Sequence, residues 1–410
     1  MSTAPYEPTQ FAPAPTAREL ALLFALALGI RVAVLVAAAL ATGWAPLDLA
    51  MLADGHADMV LAKTFPALYV GTQKLVPFVT IWRDDPWAFL TRFPLYPSAI
   101  AVLGYVVGDL RIAAIAVSQF AAAFAVVQFR LLAGYFTPRA GIAAALFAVF
   151  PATWLETSSL GYTEGLLVLC AVAAFAAFAR GRMWTAAAWA AAATLVQKHG
   201  LVVVAALALA LFVQHRRKLR DLAPIAAAVL PVIALQLYWW ILTGSPFTAF
   251  ERNRSVFAGP IVTWPLTSFV AGLLSPGQVF TDQFWLRKAM LLASLAFYGT
   301  VLFRGLRRRE PRALPLLAWL GVTFALCACM GGVWAYYNFP RYMLIGAPAA
   351  ILLAIDRVAW PASPARRSLA IAAVAAGTAT AAVLGTQAMW DLCIRVWSPE
   401  YYERLRPLLR

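Results

Sequence analysis

Long apolar runs, separated by short basic or mixed-polar stretches, repeat along all 410 residues of the chain. Most of these runs have the length that spans a bilayer as one α-helix, about 17–25 residues. They are Leu20–Thr42, Ile112–Ala133, Gly141–Ser158, Glu164–Ala179, Trp184–Val213, Leu222–Leu242, Arg287–Phe303, Ala313–Val333, Tyr342–Ile355 and Ser368–Ala388. Trp184–Val213 is basic at both ends and polar in the middle, at Gln197-Lys198-His199-Gly200. That pattern predicts a hairpin of two short helices turning at Lys198. The pattern as a whole predicts about eleven transmembrane helices. Phe89–Val107 is expected to lie at the interface, to re-enter, or to pair with a further crossing near Met59–Trp82.

Composition agrees with the pattern. The chain is 63% hydrophobic and 12% charged, with mean hydropathy +0.76. A soluble domain is about half apolar and about a quarter charged. The fold class expected is therefore an all-α polytopic membrane protein. The first run is too long for a signal-peptide core and reads as a retained anchor. A net charge of +15 would suggest nucleic acid in a soluble protein. Here the basic residues gather in five loops: Arg130–Arg139, Arg180–Arg182, His215–Arg220, Arg304–Arg312 and Arg357–Arg367. Such loops mark the cytoplasmic side. The expected partners are membrane lipids and not nucleic acid, with the N-terminus cytoplasmic and the C-terminus outside. Residues 1–17, with four prolines, read as a disordered cytoplasmic tail. Residues 18–410 read as one domain with large outer loops at 44–92 and 243–286. The four cysteines make no metal spacing with histidine and read as structural.

The candidate chemistry lies mostly in the first outer loop. Trp44–Pro97 carries Asp48, Asp54, His56, Asp58, Lys63, Lys74, Arg83, Asp84, Asp85 and Arg92. In Ala53-Asp54-Gly55-His56-Ala57-Asp58 a helix beginning at Asp54 would set its carboxylate on the positive end of the dipole. Asp54 and Asp58, four apart, would share one face. They read as a general base or a carboxylate pair orienting a substrate or a metal, and on spacing alone more readily as an N-cap with solvated charges. Phe93-Pro94-Leu95-Tyr96-Pro97 fits an interfacial aromatic anchor. Glu156 and Glu164 flank a turn, and Glu164 is either a helix cap or a buried functional carboxylate. Lys198 and His199 sit at the tip of an apolar hairpin, where a cation needs an anionic partner, a phosphate or Glu164. Arg341 is comparable. Arg31 lies about 18 Å into the first run at 1.5 Å per residue, which calls for a buried partner. Arg252, Arg254 and Trp264-Pro265 form a basic outer loop, suited to an anionic headgroup or to water.

These positions resemble the GT-C superfamily of multi-span glycosyltransferases, in particular the GPI mannosyltransferase 2 family (PIG-V type) and its bacterial relatives. That family carries Trp-Asp-Gly-x-Trp-Tyr-x-x-Ile-Ala after its first span, where this chain has Ala53-Asp54-Gly55-His56-Ala57-Asp58-Met59-Val60-Leu61-Ala62. Its Phe-Phe-Pro-Leu-Tyr-Pro is matched by Arg92-Phe93-Pro94-Leu95-Tyr96-Pro97. Its Pro-x-Ser…Tyr-Ser-Glu-Ser-Leu resembles Pro151-Ala152-Thr153 with Tyr162-Thr163-Glu164-Gly165-Leu166. A Thr-Arg-Pro-x-Gly turn resembles Val196-Gln197-Lys198-His199-Gly200, and a late Arg-Tyr resembles Arg341-Tyr342. Both tryptophans of the first motif are alanine here, and its aromatic is Asp58. The arginine of the hairpin turn is Gln197 or Lys198.

The resemblance implies a GT-C-like fold in a bacterial inner (plasma) membrane. It implies a polyprenyl-phosphate sugar donor, with mannose the sugar, and a lipid, glycan or protein acceptor on the outer face. Asp54 would take the acceptor proton in an inverting displacement. Lys198 and Arg341 would meet the developing phosphate charge, ahead of Arg252 or Arg254. Glu164, His56, Asp58, Tyr96 and His199 would complete the binding site. No resident cofactor is implied, although a divalent metal remains compatible. A transporter or flippase of a lipid-linked sugar is the rival, but it should carry internal repeats, and the sequence has none. A non-catalytic carrier binder is the second rival.

Overall fold

A computed structural model describes residues 10–52, 54–64, 92–214, 219–247, 262–274, 284–308, 310–331, 333–361 and 363–410. Lys74, Arg83, Asp84, Asp85, Arg252 and Arg254 fall outside the described residues. Within them the chain is helical, with one isolated β-bridge between Val262 and Met330. The helices are α1 (Ala17–Thr42), α2 (Asp54–Thr64), α3 (Leu95–Val107), α4 (Leu110–Ala133), α5 (Ala140–Val149), α6 (Ala152–Ser159) and α7 (Glu164–Ala179). They continue with α8 (Met183–Val196), α9 (Leu201–Val213), α10 (Leu219–Ala227), α11 (Leu230–Thr243), α12 (Thr267–Leu274) and α13 (Phe284–Arg308). The last are α14 (Leu314–Ala328), α15 (Val333–Tyr342), α16 (Ala347–Ile355), α17 (Pro364–Trp397) and α18 (Pro399–Leu405).

The chain is an all-α polytopic membrane protein. Among the described residues six helices are long and apolar enough to cross a membrane, or eight if each of two bent pairs is one span. All eleven expected segments are helical, but α7, α8 and α9 have 16, 14 and 13 residues. They are shorter than a bilayer-spanning helix needs to be. The expected turn at Lys198 is present, as a 3-10 turn over Lys198–Gly200 between α8 and α9. Gly141–Ser158, expected as one span, bends by 61° between α5 and α6. Pro151 stands at that break; it has no N–H to continue a helical ladder. The second bent pair, Asn338–Ile345 with Ala347–Ile355, turns by 72°.

The bundle is organised around α4, which packs against α1, α3, α5 and α7. Small residues allow this. A Cβ on Gly165 would lie 2.4 Å from the Ser118 carbonyl oxygen, so α7 meets the α4 backbone with nothing between them. Alanines 113, 114, 122, 123, 125, 171, 174, 186, 190, 193, 206 and 210 are fully buried, as expected where helices associate by close packing in lipid. By contrast Leu40, Tyr105 and Ile241 are at least 80% exposed and belong to the lipid-facing rim.

The two ends of α4 mark the two faces of the molecule. At its Ala133 end Phe11 N donates to Gly134 O at 2.8 Å, and Arg130 pairs with Glu19 at 2.6 Å. Residues 10–16, expected within a disordered tail, are thus held on that face. Arg312 covers the Phe11 ring, and Arg139 donates to the carbonyls of Ile355 and Val358. Three of the five basic loops therefore share one face. At the Leu110 end, Leu110 N donates to Leu409 O and Asp48 pairs with Arg111 and Arg406 at 2.7 Å each. The C-terminal segment lies on this opposite face, and so does Asp48 in the described part of the first polar loop.

Arg31 finds its partners inside the bundle and is fully buried. Its Nε donates to Ser158 Oγ at 2.8 Å and its Nη1 to Ala27 O at 2.7 Å, and it lies over the Trp154 ring. These are structural partners joining α1 to α6.

Candidate active site

Asp54 opens α2, as its position before an apolar run predicts. The turn that precedes it runs through Asp48–Met51. A Cβ at Gly55 would lie 2.0 Å from Ala50 O, so only glycine lets the helix start this close to that turn. The Asp-Gly pair is therefore a geometric requirement: the glycine brings the first residue of α2 against its neighbours.

Two guanidinium groups clamp the Asp54 carboxylate. Arg92 Nη2 lies 2.6 Å from Oδ1, and Arg341 Nη1 lies 2.7 Å from Oδ2. Arg341 Nε in turn bonds Glu164 Oε1 at 2.5 Å. Arg92 Nη1 lies 3.9 Å from Asp58 Oδ1. The order Glu164, Arg341, Asp54, Arg92, Asp58 is thus an alternating ladder of charge. It joins α7, α15, α2 and the short segment ahead of α3. The Arg341 guanidinium also sits 5.3 Å from the centroid of the Tyr162 ring.

The three carboxylates differ in access. The Asp54 side chain is 32% exposed, whereas Asp58 is 2% and Glu164 is 3%. Among the described residues Asp58 Oδ2 and Glu164 Oε2 are buried without a hydrogen-bond partner. The electrostatics diverge accordingly. Burial alone would raise the Asp54 carboxyl, but Arg92 and Arg341 overcome it and hold the group well below the usual carboxylate range. Burial dominates at Asp58, and with Asp54 and Glu164 nearby its carboxyl is pushed up to about 7. The affinities of two carboxylates one helical turn apart for a proton are thereby driven in opposite directions, an arrangement that separates roles in acid–base sites.

Of the other expected site residues, Lys198 lies within electrostatic reach of both Arg92 and Asp54. Its neighbour His199 packs its ring on Tyr342, with centroids 4.3 Å apart. His56 is buried. Two residues round the helix from Asp54, it faces away from the ladder and meets the ring of Tyr401; residues i and i+2 do not share a face. Tyr96 is fully buried, and its hydroxyl donates to Gly161 O at 2.5 Å and lies 3.2 Å from Ala114 O. In this position it ties α3 to α4 and to the turn ahead of α7. Lys198 was an expected partner of Glu164, but the bonded cation is Arg341. Arg92 was not singled out from sequence. Its signal was its place immediately before Phe93-Pro94, at the head of a matched motif segment. Among the described residues no three of His, Cys, Asp or Glu are grouped to hold a metal ion.

The ladder lies just inside the bundle and not on its rim. Tyr96 and Ser118 tie the neighbouring turn to residues four to eight positions into α4, roughly one to two helical turns at 3.6 residues per turn. Ionisable groups at such a depth are costly unless paired, and they mark functional sites.

No family model matches the sequence, and no curated protein matches it. Among solved structures the chain is similar to the archaeal oligosaccharyltransferase AglB from Archaeoglobus fulgidus, solved in complex with an inhibitory peptide and a dolichol-phosphate. The TM-score is 0.42 at 14% identity, over 87% of this chain. The chain spans 56% of the length of that protein.

Proposed function

We propose that this chain is a membrane glycosyltransferase of the GT-C type. It moves a sugar, mannose on the motif resemblance, from a polyprenyl-phosphate carrier to an acceptor hydroxyl with inversion. One observation carries the reading: residues from the four motif segments around Asp54, Arg92, Glu164 and Arg341 meet in one charged ladder, with Lys198 of the fifth in reach.

The chemistry follows from the charges. The acceptor oxygen attacks the anomeric carbon as the bond to the carrier phosphate breaks. The lipid phosphate leaves with the electron pair, and the hydroxyl proton passes to Asp54. A phosphate leaving group in a poorly hydrated site needs fixed cations where its charge develops. Arg341, Lys198 and Arg92 supply them. The apolar rim gives the prenyl tail a route from the lipid, and the site opens on the face opposite the basic loops, which the charge rule makes the outer face of a bacterial inner membrane.

The test is transfer from labelled polyprenyl-phosphate mannose in membranes carrying the wild-type chain or Asp54→Asn. Loss of a general base lowers the rate by about 10²–10⁴-fold. Equal transfer by both would remove Asp54 from the mechanism.

A further inference from the structure

Asp54 has a difficulty as a base. A carboxylate whose two oxygens each accept from a different guanidinium is a weak proton acceptor, and its carboxyl is held well below the usual range. The same two arginines are the best-placed cations for the phosphate of the donor. Both demands fall on one pair of groups.

We propose that Arg92 and Arg341 form a phosphodiester subsite in which the Asp54 carboxylate is an internal placeholder, so that donor binding exchanges phosphate oxygens for Asp54 and only then makes Asp54 a base. This inference rests on the glycosyl-transfer reading above.

Three features support the exchange. First, the shapes correspond. A phosphodiester presents two non-bridging oxygens, as a carboxylate presents two, and guanidinium forks bind either with paired hydrogen bonds. Second, Asp54 is the carboxylate that can leave. At 32% side-chain exposure it is the open member of the ladder, while Asp58 and Glu164 are closed in at 2% and 3%. Third, Arg341 has a second carboxylate that holds it in place without Asp54. Arg341 keeps its 2.5 Å bond to Glu164, and Arg92 keeps Asp58 at 3.9 Å.

The groups that act on Asp54 are Arg92 and Arg341. Asp58 on its own helix, Lys198 in the 3-10 turn after α8, Tyr162 ahead of α7 and Tyr342 at the end of α15 are also in reach. Glu164 joins through Arg341. Arg92, Arg341 and Lys198 therefore gather round Asp54. A phosphodiester carries one negative charge. Once it occupies the arginines, Asp54 loses its cations and gains an anionic neighbour, and both changes raise its proton affinity.

The probe is a short-chain prenyl methyl phosphodiester, which has no sugar to transfer and a fixed single charge. Its binding to the purified full-length chain is measured by calorimetry in two buffers of different ionisation heat, near about pH 5, with Asp54→Asn as the control that assigns the uptake to Asp54. The exchange predicts uptake of roughly half a proton or more per diester bound. It also predicts that Asp54→Asn binds the diester about tenfold tighter than wild type, the scale of one charged hydrogen-bond competitor removed, and takes up no proton. A dimethyl phosphate arm separates recognition of the phosphate from partition of the tail. Diester binding without proton uptake, or equal or weaker binding by Asp54→Asn, overturns the exchange while leaving the transferase reading intact. If Asp54→Asn does not fold, proton uptake by the wild-type chain decides alone. A wild-type chain that neither binds the diester nor transfers sugar overturns both.

Discussion

Arg341 Nη1 lies 2.7 Å from Asp54 Oδ2, although the two residues stand near opposite ends of the chain. The same guanidinium holds Glu164, whose side chain is 3% exposed. Arg341 is therefore the link between the first polar loop and the core helix α7. It is also the only cation bonded to Glu164 among the described residues.

Removing it should cost stability before it costs chemistry. Arg341→Met leaves Glu164 as a buried, uncompensated carboxylate, a loss of about 3–5 kcal/mol. Thermal unfolding in detergent would show it, and Glu164→Gln in the same chain should recover part of the loss. The double-mutant cycle then gives a coupling energy well above the scatter of about 0.3–0.5 kcal/mol expected of independent sites. Arg341→Lys should not substitute, because an ammonium lacks the fork that reaches two carboxylates at once. Additive single effects would show that the two side chains do not stabilise the fold together.

The elements of the fold were legible where hydrophobic pattern alone decides them. The hairpin of α8 and α9 follows from two basic ends and a polar centre at Lys198. Helix α2 follows from Asp54 standing before an apolar run. Two things were not legible. The bend between α5 and α6 lies in one apolar run whose continuity hides the break at Pro151. The pairing of the ladder depends on which of several cations reaches a given carboxylate, and that is set by helix packing. Sequence offered Lys198 as a partner for Glu164 with the same logic that suits Arg341. Arg92 read as one more charge in a loop of ten. Tyr96 read as an interfacial anchor, and its hydroxyl instead bonds carbonyls of α4 and of the turn ahead of α7.

A second prediction concerns pH. The Asp58 carboxyl moves from an ordinary 3.8 to about 7, chiefly by burial. Between about pH 4 and pH 7 the folded chain keeps this proton while the unfolded chain has lost it, so stability contributed here falls as pH rises and levels off above 7. Asp54 acts in the opposite sense: its depressed carboxyl stabilises the fold above the ordinary carboxylate range and loses that contribution in acid. Asp58→Asn should therefore be more stable than wild type at pH 8, by roughly 1–3 kcal/mol after allowing for the lost Arg92 contact. Its unfolding temperature should be flatter between about pH 5 and pH 7. An unchanged slope over that window would show that Asp58 is ionised throughout.

The last prediction separates two aspartates of the same loop that sequence cannot tell apart. Asp48 stands six residues before Asp54 and is equally clamped, by Arg111 Nη1 and Arg406 Nη2 at 2.7 Å each. Its surroundings differ in kind. Arg111 has a second carboxylate in Asp109 at 2.6 Å, and Arg406 belongs to the C-terminal segment that lies along the Leu110 end of α4. Asp48 is 5% exposed, and each of its oxygens is held by a different arginine. Its function is to fasten residues 399–410 to the turn that precedes α2. Asp48→Asn should lower stability by about 1.5–3 kcal/mol, the value of hydrogen bonds to a charged group. It should also make the C-terminal segment more sensitive to carboxypeptidase. Transfer per folded molecule should stay within about twofold of wild type, the scatter expected of a change that leaves transition-state contacts intact. Asp54→Asn should give the opposite profile, with the segment protected and transfer lost. If both variants lost transfer equally at equal folded fraction, the distinction between a fastening carboxylate and a reacting one would fail, because the C-terminal segment would then be part of the site.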